Sequence, residues 1–321
     1  MKTVVTGGAG FIGSHLVKRL VEEGREVVVA DDFSRGKTQN LLDLGVRLDP
    51  RPVNLRDYQQ VLASLDGAES VFHLAARVGS VEFLHGSEIA ELLALQSNLM
   101  IDANVFRACL ERAVGRLVYA SSVSVYPIHL QQSYGVVFRE EDLWPINPEG
   151  GYGWAKLLGE IQLQWMRDLD IGVARIFNIY GENEEPDENT HVVPALIRKA
   201  VLYPRQAFRV WGDGNQTRDL LYVADAVDAL LTLEGKASSP PTVVNIGSGE
   251  TLPIKALVDR IIEISGKAIE PLFDPSKPVG PLSRTAAVTK AKALLDWQPK
   301  VGLDEGLERT FRWVEQKLEG C

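Results

Sequence analysis

Tyr152 and Lys156 lie four residues apart in a segment with helical patterning, so their side chains share one face. A phenol with a pKa near 10 is a poor base at neutral pH. A neighbouring ammonium, or a cationic ligand ring, favours the phenolate; lowering the pKa by about three units corresponds to roughly 4 kcal/mol. Such a pair is common on exposed helix faces, so its setting matters. The run Tyr119-Ala-Ser-Ser122-Val-Ser124-Val-Tyr126 follows a β-branched stretch that reads as a strand. A serine at that strand end can hydrogen-bond a reacting oxygen and relay its proton to Tyr152.

The second constellation is Thr6-Gly7-Gly8-Ala9-Gly10-Phe11-Ile12-Gly13, between the first apolar run and the first helical pattern. Gly7, Gly10 and Gly13 are spaced by three, looser than GxGxxG. Glycines at such a turn let the backbone approach a pyrophosphate, and the helix that follows offers unpaired N–H groups to it. Asp31 ends the next strand-like run, about 20 residues on, where a carboxylate can take both hydroxyls of a ribose. An acid there repels a 2′-phosphate and favours NAD over NADP; Arg35 and Lys37 nearby pull the other way. Asp32 reads as a solvated turn residue. Asn54 and Leu55 could flank the adenine or form a surface turn.

These groups need a scaffold. Strands are predicted over 2–6, 26–30, 70–74, 116–120 and 172–176, and helices over 11–23, 56–65 and 88–112 and from near Tyr152. Continuous apolar runs alternating with helices predict a doubly wound parallel α/β sheet. After about residue 178 the pattern changes. A polar, acidic loop over 181–190 precedes helices over 193–202, 224–233 and 254–265, a strand over 243–246, and a last helix from Leu303. This predicts a dinucleotide-binding domain over 1–177. A smaller α/β substrate-binding domain over 178–321 follows, with a possible strand return to the first. Trp144 and Trp154 are expected in core packing rather than lining a pocket.

The 45% hydrophobic and 24% charged composition is that of a globular protein. A formal net charge of -9 argues against nucleic acid or an anionic membrane as partner. Cys109 and Cys321 suggest no disulfide framework, and the five histidines show no metal-ligand spacing, so no metal is expected. No leader or membrane span is visible, and the expectation is a cytoplasmic protein.

The motifs TGGAGFIGSH at 6–15, HLAAR at 73–77, SSVSVY at 121–126, YGWAK at 152–156, FNIYG at 177–181, WGDGNQTRD at 211–219 and NIGSG at 245–249 cover nearly the whole chain. Through them the sequence resembles the extended short-chain dehydrogenase/reductase family, in its NAD-dependent nucleotide-sugar epimerase and dehydratase branch. The resemblance implies a Rossmann fold and an enzyme. It makes Tyr152 and Lys156 catalytic with Ser122 assisting, and places NAD contacts at Gly7, Gly10, Phe11, Ile12, Asp31, Leu55, Leu74, Ala75, Ala76, Asn98 and Lys156. It implies a nucleotide-diphosphate sugar as partner, held by Ser122, Ser124, Asn178, Arg218 and Arg284. Guanidinium–phosphate pairing suits the two arginines, although Arg218-Asp219 read alone could be a surface ion pair. Relatives form homodimers through the helices before Ser122 and around Lys156.

The branch's reactions differ by a few residues. Its dehydratases carry an acid after the catalytic Ser/Thr, where this chain has Val123 and Ser124, and its decarboxylases have glutamate at Ser124. The chain is similar to UDP-hexose 4-epimerases and to GDP-mannose 3,5-epimerases. In the latter a cysteine at Ser124 and a lysine at or near Val192 exchange protons with the sugar. A serine and a valine cannot replace a thiol and an ammonium, although His191 could do part of that work. The resemblance therefore implies C4 inversion through a transient 4-keto sugar. 3,5-Epimerisation or 4-keto reduction is the alternative, and a non-catalytic dinucleotide-binding protein the remote one.

Overall fold

The computed structural model describes residues 1–42, 44, 47–48, 52–78, 86–187 and 190–319; Cys321 lies outside them. Seven strands form one wholly parallel sheet: β1 (Lys2–Thr6), β2 (Glu26–Ala30), β3 (Arg47–Leu48), β4 (Ser70–His73), β5 (Arg116–Ser122), β6 (Asp170–Ile176) and a seventh, Thr242–Ile246. Their spatial order is β3-β2-β1-β4-β5-β6 and then the Thr242–Ile246 strand, which pairs with β6 in parallel register. Order reverses between β1 and β4, so a crevice opens beyond the carboxyl ends of those two strands.

Strand residues alternate between two cores because successive side chains point to opposite faces. Val5, Phe72 and Val118 join a cluster with α1 (Phe11–Glu22) and the Val223–Glu234 helix. Val4, Val71, Leu117 and Tyr119 join another, with α2 (Tyr58–Ser64), α3 (Glu88–Glu111) and Leu163. All seven of these strand residues are fully buried. Burying each such aliphatic or aromatic side chain contributes about 1.5–3 kcal/mol, which is why the strands need no polar face. The helix expected over 56–65 starts at Tyr58 because Asp57 caps it, accepting the N–H groups of Gln59 and Gln60.

Ile128–Gln131 (α4) and Gly150–Leu163 (α5) complete the first part of the chain. Beyond β6 the smaller elements are β7 (Asn178–Tyr180), α6 (Val192–Leu202), β8 (Arg209–Trp211), β9 (Thr217–Arg218) and β10 (Leu220–Tyr222). β7 and β10 pair in parallel, β9 pairs antiparallel with Leu252–Pro253, and β8 pairs in parallel with Leu272–Asp274. β7 follows directly from the carboxyl end of β6, after Phe177. Trp144 and Trp154 are not core residues as expected: they are 76% and 39% exposed. The first precedes Pro145 in an irregular segment and the second falls on the outer face of α5. No helix among the described residues is long and apolar enough to cross a membrane.

Candidate active site

The turn leaving β1 has the geometry its glycines require. Gly7 has φ +70°, and a Cβ there would stand 2.9 Å from the backbone N and Cα of Ala75. Only glycine lets this loop close on the segment leaving β4. A Cβ on Gly13 would meet the Gly7 carbonyl oxygen at 2.1 Å. The Gly10 N–H bonds that carbonyl at 3.1 Å, and α1 begins at Phe11 with no side chain capping its first N–H groups. Those donors and the helix dipole suit a pyrophosphate. Phe11 and Ile12 pack partly buried against the core, so they fix the helix start.

Asp31 is buried at the end of β2, with its carboxylate accepting the Ala9 N–H at 2.9 Å and the Phe33 N–H at 2.8 Å. Burial holds its pKa above the ordinary aspartate range, the two N–H donors opposing and Asp32 adding to the shift. This fixed acid beside the loop fits a ribose diol. Asp32 bonds the Ser34 N–H at 2.9 Å in an exposed turn. Across the crevice Leu74 and Ala75 hang from Thr6, through its carbonyl at 3.2 Å and its hydroxyl at 3.3 Å, and Ala76 follows half-buried. Asn54 holds a turn by accepting the Arg56 N–H at 3.1 Å, while Leu55 is buried in the core. Asn98 spends both ends of its amide on the backbone of Arg77, at 2.7 and 3.1 Å, and so positions the segment after β4.

Ser122 closes β5, and its Oγ accepts the Ser124 N–H at 3.1 Å, capping the 3-10 turn Val123–Val125. Tyr152 and Lys156 sit on α5, one turn apart. Lys156 is 1% exposed, and its Nζ has no hydrogen-bond partner among the described residues. It lies 4.5 Å from the Tyr119 ring centroid and 6.0 Å from that of Tyr152. A buried ammonium with unspent donors fits the hydroxyls of a nicotinamide ribose. Burial lowers its pKa, with Asp102 and Glu160 holding it up. The phenol was expected to be made acidic by Lys156 together with a cationic nicotinamide, and the protein supplies only the first. Burial pushes Tyr152 up to about 12, Asp102 and Glu149 raise it, and only the Ser122 hydroxyl and the Arg284 charge draw it down. Desolvation therefore outweighs the groups that lower it, and without a bound cationic ring the phenol stays protonated.

Behind Lys156 runs a buried polar chain that sequence reasoning missed. Asp102 accepts the Tyr119 O–H at 2.6 Å and lies 3.0 Å from His73 Nε2; His73 Nδ1 lies 2.7 Å from Thr6 Oγ1. Burial works to raise the Asp102 pKa, but Lys156, His73 and Tyr119 outweigh it and hold the carboxyl low. An ionised Asp102 can only accept, so Nε2 of a neutral His73 carries the proton and Nδ1 accepts from Thr6. Burial keeps that imidazole neutral by lowering its pKa. The signal was present: a histidine inside SVFHL and an aspartate on the inner face of an apolar helix.

The second half faces this trio. Asn178 opens β7, its Oδ1 buried without a partner among the described residues. Arg218-Asp219 is not a surface ion pair. Arg218 is buried and donates to the backbone carbonyls of Thr217, Val279 and Pro281, while Asp219 is fully buried and accepts from Ser248, Gly249 and Ala286. The Arg218 pKa falls to about 9 through burial and the Arg284 charge. Arg284 donates to Gln131 at 3.0 Å and pairs with Glu149, which also accepts from Ser124 Oγ at 2.9 Å. His191 pairs with Glu184 at 2.5 Å; burial lowers its pKa, but the Glu184 charge prevails and the net shift is upward. Among the described residues no cluster of three His, Cys, Asp or Glu side chains is placed to hold a metal.

A doubly wound sheet with a glycine-lined turn at a helix start, a buried acid ending the next strand and a Ser/Tyr/Lys set has the make-up of an NAD-binding enzyme. The sequence profile of the NAD dependent epimerase/dehydratase family matches residues 3–247, and the chain belongs to that family, with NAD as its cofactor. It is 32% identical over 99% of its length to the UDP-glucose 4-epimerase of Mycolicibacterium smegmatis, all of which is covered. It is 30% identical to GDP-mannose 3,5-epimerase 1 of Oryza sativa subsp. japonica, over 99% of this chain and 83% of the relative. The Thermotoga maritima UDP-glucose 4-epimerase, solved with UDP-glucose, superposes with a TM-score of 0.88 at 29% identity, over 99% of this chain and all of that one.

Proposed function

We propose that the enzyme inverts C4 of a nucleoside-diphosphate hexose through a transient 4-keto sugar, with Ser122, Tyr152 and Lys156 as its catalytic set. The observation that carries this is Tyr152 beside the Ser122 hydroxyl, with the unpaired Lys156 ammonium one helical turn behind. Tyr152 takes the proton of the 4-hydroxyl while Ser122 holds that oxygen, and it returns the proton after the sugar has turned in the pocket. NAD, held by the glycine turn, Asp31 and Lys156, would supply reversible hydride transfer at C4. Lys156 holds the nicotinamide ribose, and Arg218 and Arg284 face the diphosphate with Asn178. Full-length likeness to GDP-mannose 3,5-epimerases supports a second reading, inversion at C3 and C5. Against it, Val192 opens α6 where a cation would be needed, and Ser124 is engaged with Glu149. A panel of UDP- and GDP-hexoses incubated in D2O and read by NMR separates the two. C4 inversion without deuterium at carbon is expected; deuterium at C3 or C5 supports the second reading, and no epimer from any sugar sinks both.

We also infer a homodimer. Helix α3 buries Ala94, Asn98, Asp102 and Val105 against the protein, yet Ile89, Leu92, Leu93 and Met100 are 43–64% exposed on its other side. A helix apolar all round has two packing partners, and the adjoining α5 supplies exposed Trp154 beside it. Light scattering should give twice the 35.4 kDa chain mass, and Leu92→Glu with Leu93→Glu should halve it. A wild-type protein of single-chain mass at micromolar concentration would remove the dimer.

A further inference from the structure

Glu149 has no task in the mechanism above, yet it stands among all the groups that have one. It is the N-cap residue of α5, and its N–H bonds the Ser124 carbonyl at 2.9 Å. Its carboxylate accepts from Ser124 Oγ and from Arg284, and both members of that ion pair are only 12% exposed. A Cβ on Gly153 would stand 2.3 Å from the Ser124 carbonyl oxygen, so the helix start and the serine turn are in close contact. The charges of Glu149 and Arg284 act on both Tyr152 and Arg218, so the pair stands near the phenol and the buried guanidinium. If Tyr152 meets the reacting carbon and Arg218 the diphosphate, the hexose ring lies across Glu149.

We propose that Glu149 is a specificity-determining residue that reads the sugar, accepting hydrogen bonds from hydroxyls of a neutral hexose and repelling a sugar that carries a carboxylate. The proposal rests on the sugar-nucleotide reading and narrows its substrate class to neutral hexoses. An ionised carboxylate can only accept hydrogen bonds, which matches a polyol and opposes a hexuronate in a partly desolvated site. Arg284 offsets part of that repulsion, but as the ion-pair partner of Glu149 it offers a sugar carboxylate no free counter-charge. Discrimination here comes from a repulsive element as much as from an attractive one.

The test is titration calorimetry on NAD-loaded protein with two matched pairs, UDP-glucose with UDP-glucuronate and GDP-mannose with GDP-mannuronate. Wild type should bind the neutral member of at least one pair about tenfold or more tightly. Glu149→Gln should move that ratio about tenfold or more toward the uronate, since it removes the repulsion and frees Arg284; Glu149→Asp should keep the neutral preference. A purely structural Glu149 would weaken both members of a pair by the same factor. That result, or equal wild-type binding of both members, overturns the proposal, as does failure of all four to bind. The C4 reading fails separately, when the sugar that binds yields no epimer.

Discussion

Tyr152→Phe should lower kcat by about a thousandfold, the middle of the range for losing a positioned acid–base group, while the protein folds and retains NAD. The ring stays, so its packing is kept; only the hydroxyl beside Ser122 is lost. The pH profile carries the sharper information. The working form is the phenolate, so kcat should rise tenfold per pH unit below the apparent pKa and level off above it. Burial sets that pKa at about 12 in the protein alone. A bound cationic ring stabilises the phenolate, so the plateau of the holoenzyme should begin below 12. Arg284→Met should move the rising limb to higher pH, because the Arg284 charge draws the phenol pKa down. In Tyr152→Phe the limb should vanish. Steady-state rates between pH 6 and 10 decide the matter: a phenylalanine variant with wild-type turnover, or with the same limb, removes Tyr152 as the base.

How much of this was written in the chain depends on what each feature asks of its residues. Strands buried on both faces must be uninterrupted β-branched runs, and KTVVT and EVVVA coincide residue for residue with β1 and β2. The glycine turn was equally legible, since no other residue satisfies φ +70° at Gly7 with Ala75 so close. Three-residue strands such as Asn178–Tyr180 and Arg209–Trp211 leave no periodicity to read, so the short strands of the second part were missed, whereas the longer Thr242–Ile246 was legible as 243–246. The site shows the same divide. Ser122, Tyr152 and Lys156 are spaced by local geometry, one strand end and one helical turn. Glu149 was invisible because its meaning comes from Arg284, 135 residues away. Arg218 was ambiguous for the same reason: its three carbonyl partners include Val279 and Pro281, which only the folded chain brings to it. Spacing gives the neighbours of Tyr152 but not its desolvation, which pushes the phenol up in the protein alone.

Asp102→Asn should cost about 3–5 kcal/mol of stability, the range for stripping one partner from buried charges. Lys156 and Asp102 are each about 1% exposed, and Lys156 has no hydrogen bond of its own, so its charge depends on the field of Asp102 and Glu160. The same substitution disturbs two further bonds, from Tyr119 and His73. Lys156→Met removes the charge that Asp102 serves. The double variant should therefore lose less than the sum of the two single ones, by about 1 kcal/mol or more in a double-mutant cycle. The pH dependence has a definite sign. Burial already lowers the Lys156 pKa in the folded protein, and losing Asp102 lowers it further. Between that value and the ordinary lysine pKa of about 10.4 the unfolded chain binds the extra proton, so stability rises with pH. The deficit of Asp102→Asn should accordingly be smaller at pH 10 than at pH 7. Urea unfolding of the four proteins at both pH values measures all of this. Strict additivity together with a pH-independent deficit would mean that Asp102 serves only its bonds to Tyr119 and His73, and that Lys156 keeps its charge by other means.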